Sequence, residues 1–236
     1  AEAMSIDGLI WLNLYDNHLD RHGSMKAYFM AKWRLVERLR HPVLVVGETV
    51  ADFALEFGLK LPDFAQVVRR GDTEAWKMPE SSAFCVRKQA ENLFLARRFW
   101  SLLGLDEAVL RRSAESLEPL PFRMNALPGP DGVTYWNDSK ATNFAACFGA
   151  LDNFSGKVVW IGGGRDRGEN PETLAAGIAP GVRIAILTGE TAPALGDALA
   201  RRNVRVITCA NLSDAVLAAR KNALAGENVL FSPAHS

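Results

Sequence analysis

The chain has 236 residues, of which 48% are hydrophobic and 23% charged, enough for one large core or two ordinary ones. Lysine plus arginine equals aspartate plus glutamate at 27 each, so no global field favours a polyanion or an anionic membrane. The basic doublets are scattered and lack interleaved aromatics, which argues against nucleic acid as a partner. No apolar run approaches the roughly 18 residues that span a bilayer, and no basic, apolar, small-residue leader opens the chain, so membrane insertion and export are not expected. Cys85, Cys147 and Cys209 are odd in number and unpaired in spacing, which fits a reduced cytoplasm.

In chain order, Asp7 to Leu14 reads as a buried strand, Tyr15 to Gly23 as a polar loop, and Met25 to Leu39 as a helix capped by Ser24. His41 to Val46 predicts a strand, Val50 to Phe57 a helix and Gln66 to Arg69 an edge strand. A long amphipathic helix is expected between Ser81 and Leu103, and another from Asp106 to Leu117. Pro119 and Pro121 then forbid a continuing helix, and the domain boundary is placed there: 1–120 and 121–236. Beyond it, Met124 to Leu127 and Val133 to Trp136 predict a hairpin with a proline-rich tip, followed by a helix from about Ala141. Strands at Lys157 to Ile161, Arg183 to Thr188, Val204 to Thr208 and Asn228 to Phe231 alternate with helices near 171–176, 192–202 and 212–223. Such alternation predicts an α/β protein with mostly parallel, doubly wound sheets in two domains, the second Rossmann-like.

Three stretches and one further lysine can carry chemistry. The loop at 16–23 leaves the carboxyl end of a strand and gathers two imidazoles, two carboxylates and a guanidinium, which suits an ion or phosphate as well as it suits a polar surface loop. Lys32 follows among apolar neighbours, either an ordinary helix-face lysine or an amine able to form a carbamate that would serve as an oxygen ligand. Asn137-Asp-Ser-Lys-Ala-Thr-Asn143 joins a strand end to a helix start, the arrangement of an anion site or of a helix capped by Asp138 or Ser139. The glycine-rich turn Ile161-Gly-Gly-Gly-Arg-Asp-Arg-Gly168 would let backbone approach a ligand but is not a dinucleotide fingerprint. The 236 residues contain no G-x-x-x-x-G-K-S/T phosphate loop.

Asn-His-Leu-Asp-Arg-His-Gly-Ser-Met at 17–25, Lys32, Pro-Phe-Arg at 121–123, Asn-Asp-Ser-Lys-Ala-Thr-Asn at 137–143, Gly-Gly-Gly-Arg-Asp-Arg-Gly at 162–168 and Ser-Pro-Ala at 232–234 occur in one order. Together they resemble the Mur ligase family, specifically its D-glutamate-adding branch. The resemblance implies part of a central ATPase domain at 1–120 and most of a C-terminal amino-acid-binding domain at 121–236, with both ends of the chain and the phosphate loop cut away. It implies a cytoplasmic, monomeric enzyme that uses ATP and Mg2+ to phosphorylate the carboxylate of UDP-N-acetylmuramoyl-L-alanine. The amine of D-glutamate then attacks the acyl phosphate, a step of peptidoglycan precursor synthesis. Without its phosphate loop, the piece by itself is expected to be inactive.

Matched position by position, the resemblance makes His18 a magnesium ligand, with Lys32, as its carbamate, supporting the metal region. Asn92 would contact adenine, Arg123 the ATP phosphates, Asp138 the ribose and Lys140 the transferred phosphate or acyl phosphate. Thr142 and Arg167 would take the carboxylates of D-glutamate. The chain departs from the family pattern at Asn17, where aspartate is usual, at Lys88-Gln89 for His-Asn, at Phe122 for histidine and at Arg167 for lysine. The last keeps the charge and changes its geometry. The alternatives are another Mur-type amino-acid ligase, or a non-catalytic nucleotide-binding protein without a phosphate loop.

Overall fold

A computed structural model of the chain describes residues 5–15, 19–69, 76–129 and 132–235. The chain divides into two compact units, Ala1–Glu118 and Pro119–Ser236.

In the first unit, strands β1 (Leu9–Trp11), β2 (Leu44–Gly47) and β3 (Gln66–Val68) form a parallel sheet in that order, so the third lies at an edge as its sequence predicts. The central strand is buried along its whole length, as a strand covered on both faces must be. After a short helix α1 (Leu19–His22), helix α2 (Met25–Trp33) is capped by Ser24, whose hydroxyl accepts from Ala27 N–H at 3.1 Å. Its Phe29 is fully buried and packs against Trp11, Trp33 and Phe57 with ring centroids 4.9 to 5.5 Å apart. Helices α3 (Glu48–Glu56), α4 (Arg87–Leu102) and α5 (Glu107–Ser116) complete the unit.

Two helices are shorter than their sequence periodicity predicts. α2 stops at Trp33, and a 3-10 turn at Val36–Arg38 leads to Leu39, which bridges to Ile6 in extended backbone. The i, i+3 spacing of that turn still buries Val36, so the apolar pattern survives the loss of the α-helix. The helix expected from Ser81 begins only at Arg87. Buried Ser82 caps Phe84 N–H at 3.1 Å and donates to the Ala114 carbonyl at 2.7 Å, and Val86 is extended at ψ 130°.

The second unit is a six-stranded sheet of β4 (Asn125–Pro128), β5 (Thr134–Asn137), β6 (Val158–Gly162), β7 (Val182–Leu187), β8 (Arg205–Thr208) and β9 (Asn228–Phe231), in the order β4-β5-β9-β6-β7-β8. Among the described strands of this sheet only the β4–β5 pair is antiparallel. Helices α6 (Phe144–Leu151), α7 (Pro171–Ile178), α8 (Ala192–Ala200) and α9 (Leu212–Asn222) alternate with the strands. Val159, Ile161, Ile184, Ile186 and Val229 pack with Ala215 and Ala219 of α9 on one face. The alternating residues Trp160, Ala185 and Leu187 bury on the other. The predicted α/β class with mostly parallel, doubly wound sheets is the one observed.

Candidate functional site at the carboxyl edge of the second sheet

β5, β9 and β6 are parallel neighbours, so their carboxyl ends emerge side by side, where open α/β sheets take their ligands. Backbone hydrogen bonds stitch the three exits together. Asp138 N–H donates to the Phe231 carbonyl at 2.8 Å, Ala234 N–H to Ala141 at 2.9 Å and Gly163 N–H to Pro233 at 3.0 Å. The segment 137–143, the Ser-Pro-Ala turn and the glycine-rich loop are therefore one structure, although far apart in sequence.

Asp138 is the polar centre of this edge. It is only 8% exposed, its Oδ1 accepts from Met124 N–H at 3.3 Å and its Oδ2 from the buried Ser232 hydroxyl at 3.1 Å. Burial pushes its carboxyl up to about 6, against the opposing pull of Ser232, Met124 N–H and the Arg123 guanidinium. The helix cap expected at Asp138 or Ser139 is instead Asn143, whose side chain accepts from Ala146 N–H at 2.8 Å. That frees the intervening Lys140, which is exposed, and Thr142, which is half-buried. Non-glycine residues with left-handed backbone cluster here: Phe122, Met124 and Ala234, at φ 65°, 49° and 62°. Such conformations persist where surrounding contacts impose them, commonly at ligand sites.

The glycine-rich loop is anchored at its start. Gly163 lies at φ 95°, where a β-carbon would strike the Thr188 carbonyl, and Gly189 lies at φ 84°, where one would strike the Gly164 backbone. Thr191 Oγ1 accepts from Gly164 N–H at 3.1 Å. Further along, Asp166 N–H donates to Glu190 at 3.1 Å, and Arg167 is exposed beside it. Behind the loop, His235 is 5% exposed, with Nε2 3.7 Å from Glu169 Oε2.

In the first unit, Lys32 is half-buried, with Nζ 5.0 Å from the Tyr28 ring centroid. Asn92 donates to Gln89 Oε1 at 3.0 Å and borders a cleft at the carboxyl ends of the strands, together with Asn13, Gly47, Thr49 and Glu91. Gly47 is required there, because a β-carbon would strike the Leu12 carbonyl. His18 and Asn17 lie outside the described residues.

The profile of the Mur ligase middle domain matches residues 2–58, and that of the Mur ligase glutamate ligase domain residues 122–235. The chain belongs to the Mur ligase family. UDP-N-acetylmuramoylalanine--D-glutamate ligase of Methylobacillus flagellatus is 32% identical over 98% of this chain and 55% of that protein. The Bordetella avium enzyme of the same name is 28% identical over 99% and 55%. This Mur ligase chain thus spans about half the length of the curated relatives it matches. Two solved structures share the fold at 15% identity. MurF from Acinetobacter baumannii has a TM-score of 0.71 over 96% of this chain and 56% of its own length. UDP-N-acetylmuramate-alanine ligase MurC from Thermotoga maritima has 0.70 over 98% and 57%.

Family motifs pointed to Asp138, Lys140, Thr142 and Arg167, and these lie on adjoining exits of one Mur ligase sheet edge. Sequence reasoning missed Ser232 as the partner of Asp138, and His235 with Glu169. The Ser-Pro-Ala motif held the first signal. His235 had none, since a lone histidine beside a proline turn is unremarkable until folding buries it. For magnesium, no three His, Cys, Asp or Glu converge among the described residues, Lys32 Nζ lies beside the Tyr28 ring, and His18 is outside the described residues.

Proposed function

We propose that this chain belongs to the ATP-dependent ligase that joins D-glutamate to UDP-N-acetylmuramoyl-L-alanine through an acyl phosphate, in cytoplasmic peptidoglycan precursor synthesis. The observation that carries the reading is the stitched edge at the ends of β5, β9 and β6, which gathers cations, a hydroxyl and a buried carboxylate from separated family motifs.

ATP would transfer its γ-phosphoryl to the substrate carboxylate, and the amino-acid nitrogen would then attack the acyl carbon and expel phosphate. Every species along that path is strongly anionic, so the protein's contribution is orientation and charge compensation. Lys140, exposed on a short rigid turn, would neutralise the transferred phosphate, and Arg123 the phosphates of ATP. Thr142 and Arg167 would hold the carboxylates of D-glutamate, the guanidinium by paired hydrogen bonds. Asp138, with one oxygen against Ser232 and the other against Met124 N–H, would keep its remaining lone pairs for ribose hydroxyls. In the first unit Asn92 would meet adenine, while His18 and carbamylated Lys32 would serve a magnesium ion.

Phosphate release by the full-length gene product decides the matter, with ATP, magnesium and UDP-N-acetylmuramoyl-L-alanine and with D-glutamate compared against L-glutamate, glycine and a diamino acid. Turnover confined to D-glutamate is expected. Turnover with another amino acid would leave the ligase chemistry standing and replace the substrate, the reading that arginine at position 167 favours. Absence of turnover with all of them would favour a binding protein.

A further inference from the structure

His235 ends the turn that leaves β9, and several constraints drive its ring inward. Ala234 holds a left-handed backbone at φ 62° that non-glycine residues seldom adopt, fixed by its N–H to the Ala141 carbonyl at 2.9 Å. The imidazole meets Phe144 of α6 edge-on, with centroids 5.5 Å apart at 74°. Its Nδ1 lies 3.3 Å from the Pro233 carbonyl. A carbonyl only accepts, so Nδ1 carries the hydrogen, and Nε2, the atom turned to Glu169, attracts that carboxylate as a donor when the ring is charged. The Oε2 of Glu169 is itself buried, with no partner at hydrogen-bond distance, which leaves the imidazole as the group it faces. Burial disfavours the charged ring and lowers its pKa, the Pro233 carbonyl, Glu169 and Asp166 act against burial, and Arg167 adds to it, while α6 presents Phe144 to the ring.

Glu169 occupies a decisive place in the chain. It follows Arg167 by one glycine and precedes Asn170, the cap of α7. The loop's other end is held by Gly163 and Thr191, so whatever holds Glu169 determines where Arg167 stands. We propose that His235 and Glu169 form a latch that sets the glycine-rich loop against the exit of β9, which makes His235 a positioning residue for the amino-acid carboxylate received by Arg167. Neither latch residue is assigned a contact with the substrate. The inference rests on the amino-acid-binding role proposed for Arg167, and it adds a specificity element that the Mur ligase motifs of this chain did not include.

Steady-state kinetics of the full-length gene product test it. His235→Gln and Glu169→Gln should each raise KM for D-glutamate by about tenfold, the usual size of a positioning defect. kcat and the KM for the uridine nucleotide should stay within about twofold. The double variant should be no worse than the more affected single one, because either change opens the same latch. An unchanged KM for D-glutamate in either single variant, or effects that multiply, would overturn the proposal. A second measurement guards against misfolding of the His235 variant. In the 236-residue chain, Glu169→Gln should move the nuclear magnetic resonance titration midpoint of His235 to lower pH by removing the facing anion, and an unmoved midpoint would also overturn the proposal. Should the parent enzyme turn over a different amino acid, the substrate assignment fails, and the same KM split read with that amino acid still judges the latch.

Discussion

A buried carboxylate that resists ionisation reports its surroundings through pH. Asp138 moves from an ordinary 3.8 to about 6 in the fold because burial outweighs its hydrogen bonds from Ser232 and Met124 and the attraction of Arg123. The unfolded chain releases this proton first, so between those two values the folded state holds the extra proton. Stability from this group therefore falls as pH rises from 3.8 to about 6 and is constant above. Asparagine carries no charge at any pH. The stability of Asp138→Asn relative to the parent, from denaturant titrations at a series of pH values, should rise across that window and then level off, and a flat difference would mean that Asp138 is not buried as described. Cys147 belongs to the same pocket: full burial pushes its thiol up to about 12, so it packs as a small apolar side chain beside Ser232 and Trp160. At this scale the motifs named Asp138, Lys140, Thr142 and Arg167 from sequence. Ser232 was named only as part of the Ser-Pro-Ala motif, and Glu169 and His235 were not singled out, because their roles come from partners that folding alone supplies.

At the scale of elements, the glycine-rich loop and the segment 137–143 work because their ends are anchored. Gly163→Ala places a β-carbon against the Thr188 carbonyl at a φ of 95°, so the loop must shift or the strand end must open. It should cost about 2 kcal/mol or more in thermal or denaturant unfolding, above the usual glycine-to-alanine range because sterics and backbone strain add. Asn143→Ala removes the cap of α6 and should cost about 1 kcal/mol. Both values would be read from unfolding midpoints of the 236-residue chain. Element identity was legible in the sequence except at 19–22, where a polar loop was expected and the short helix α1 is found, because alternation of apolar strands with amphipathic helices has few solutions. Element ends were not. α2 stopped at Trp33 so that Leu39 could bridge to Ile6, and α4 began at Arg87 because Ser82 had committed its hydroxyl to Phe84 and Ala114. Periodicity records which residues are apolar, and a 3-10 turn satisfies it as well as an α-turn does.

For the whole molecule, each unit has a core of its own. The first is built on the aromatic cluster around Phe29, the second on a six-stranded sheet with buried residues on both faces. Residues 119–236 expressed separately should melt cooperatively by circular dichroism, and a non-cooperative melt would mean that this core needs the rest of the chain. The 236 residues carry no G-x-x-x-x-G-K-S/T segment. D-glutamate-dependent release of phosphate from ATP by this chain alone is accordingly not expected.

Sequence by itself determined the α/β class, the order of strands and helices and, through ordered motifs, membership of the Mur ligase family, because these depend on local periodicity and on short strings that survive divergence. Only the tertiary structure decided which exits meet. β9, last in sequence, enters between β5 and β6 and carries Ser232 to Asp138 and His235 to Glu169. The reason is physical: strand insertion brings together residues separated by most of a domain, while burial changes the protonation energetics of Asp138 and His235, and neither effect leaves a local trace in the chain.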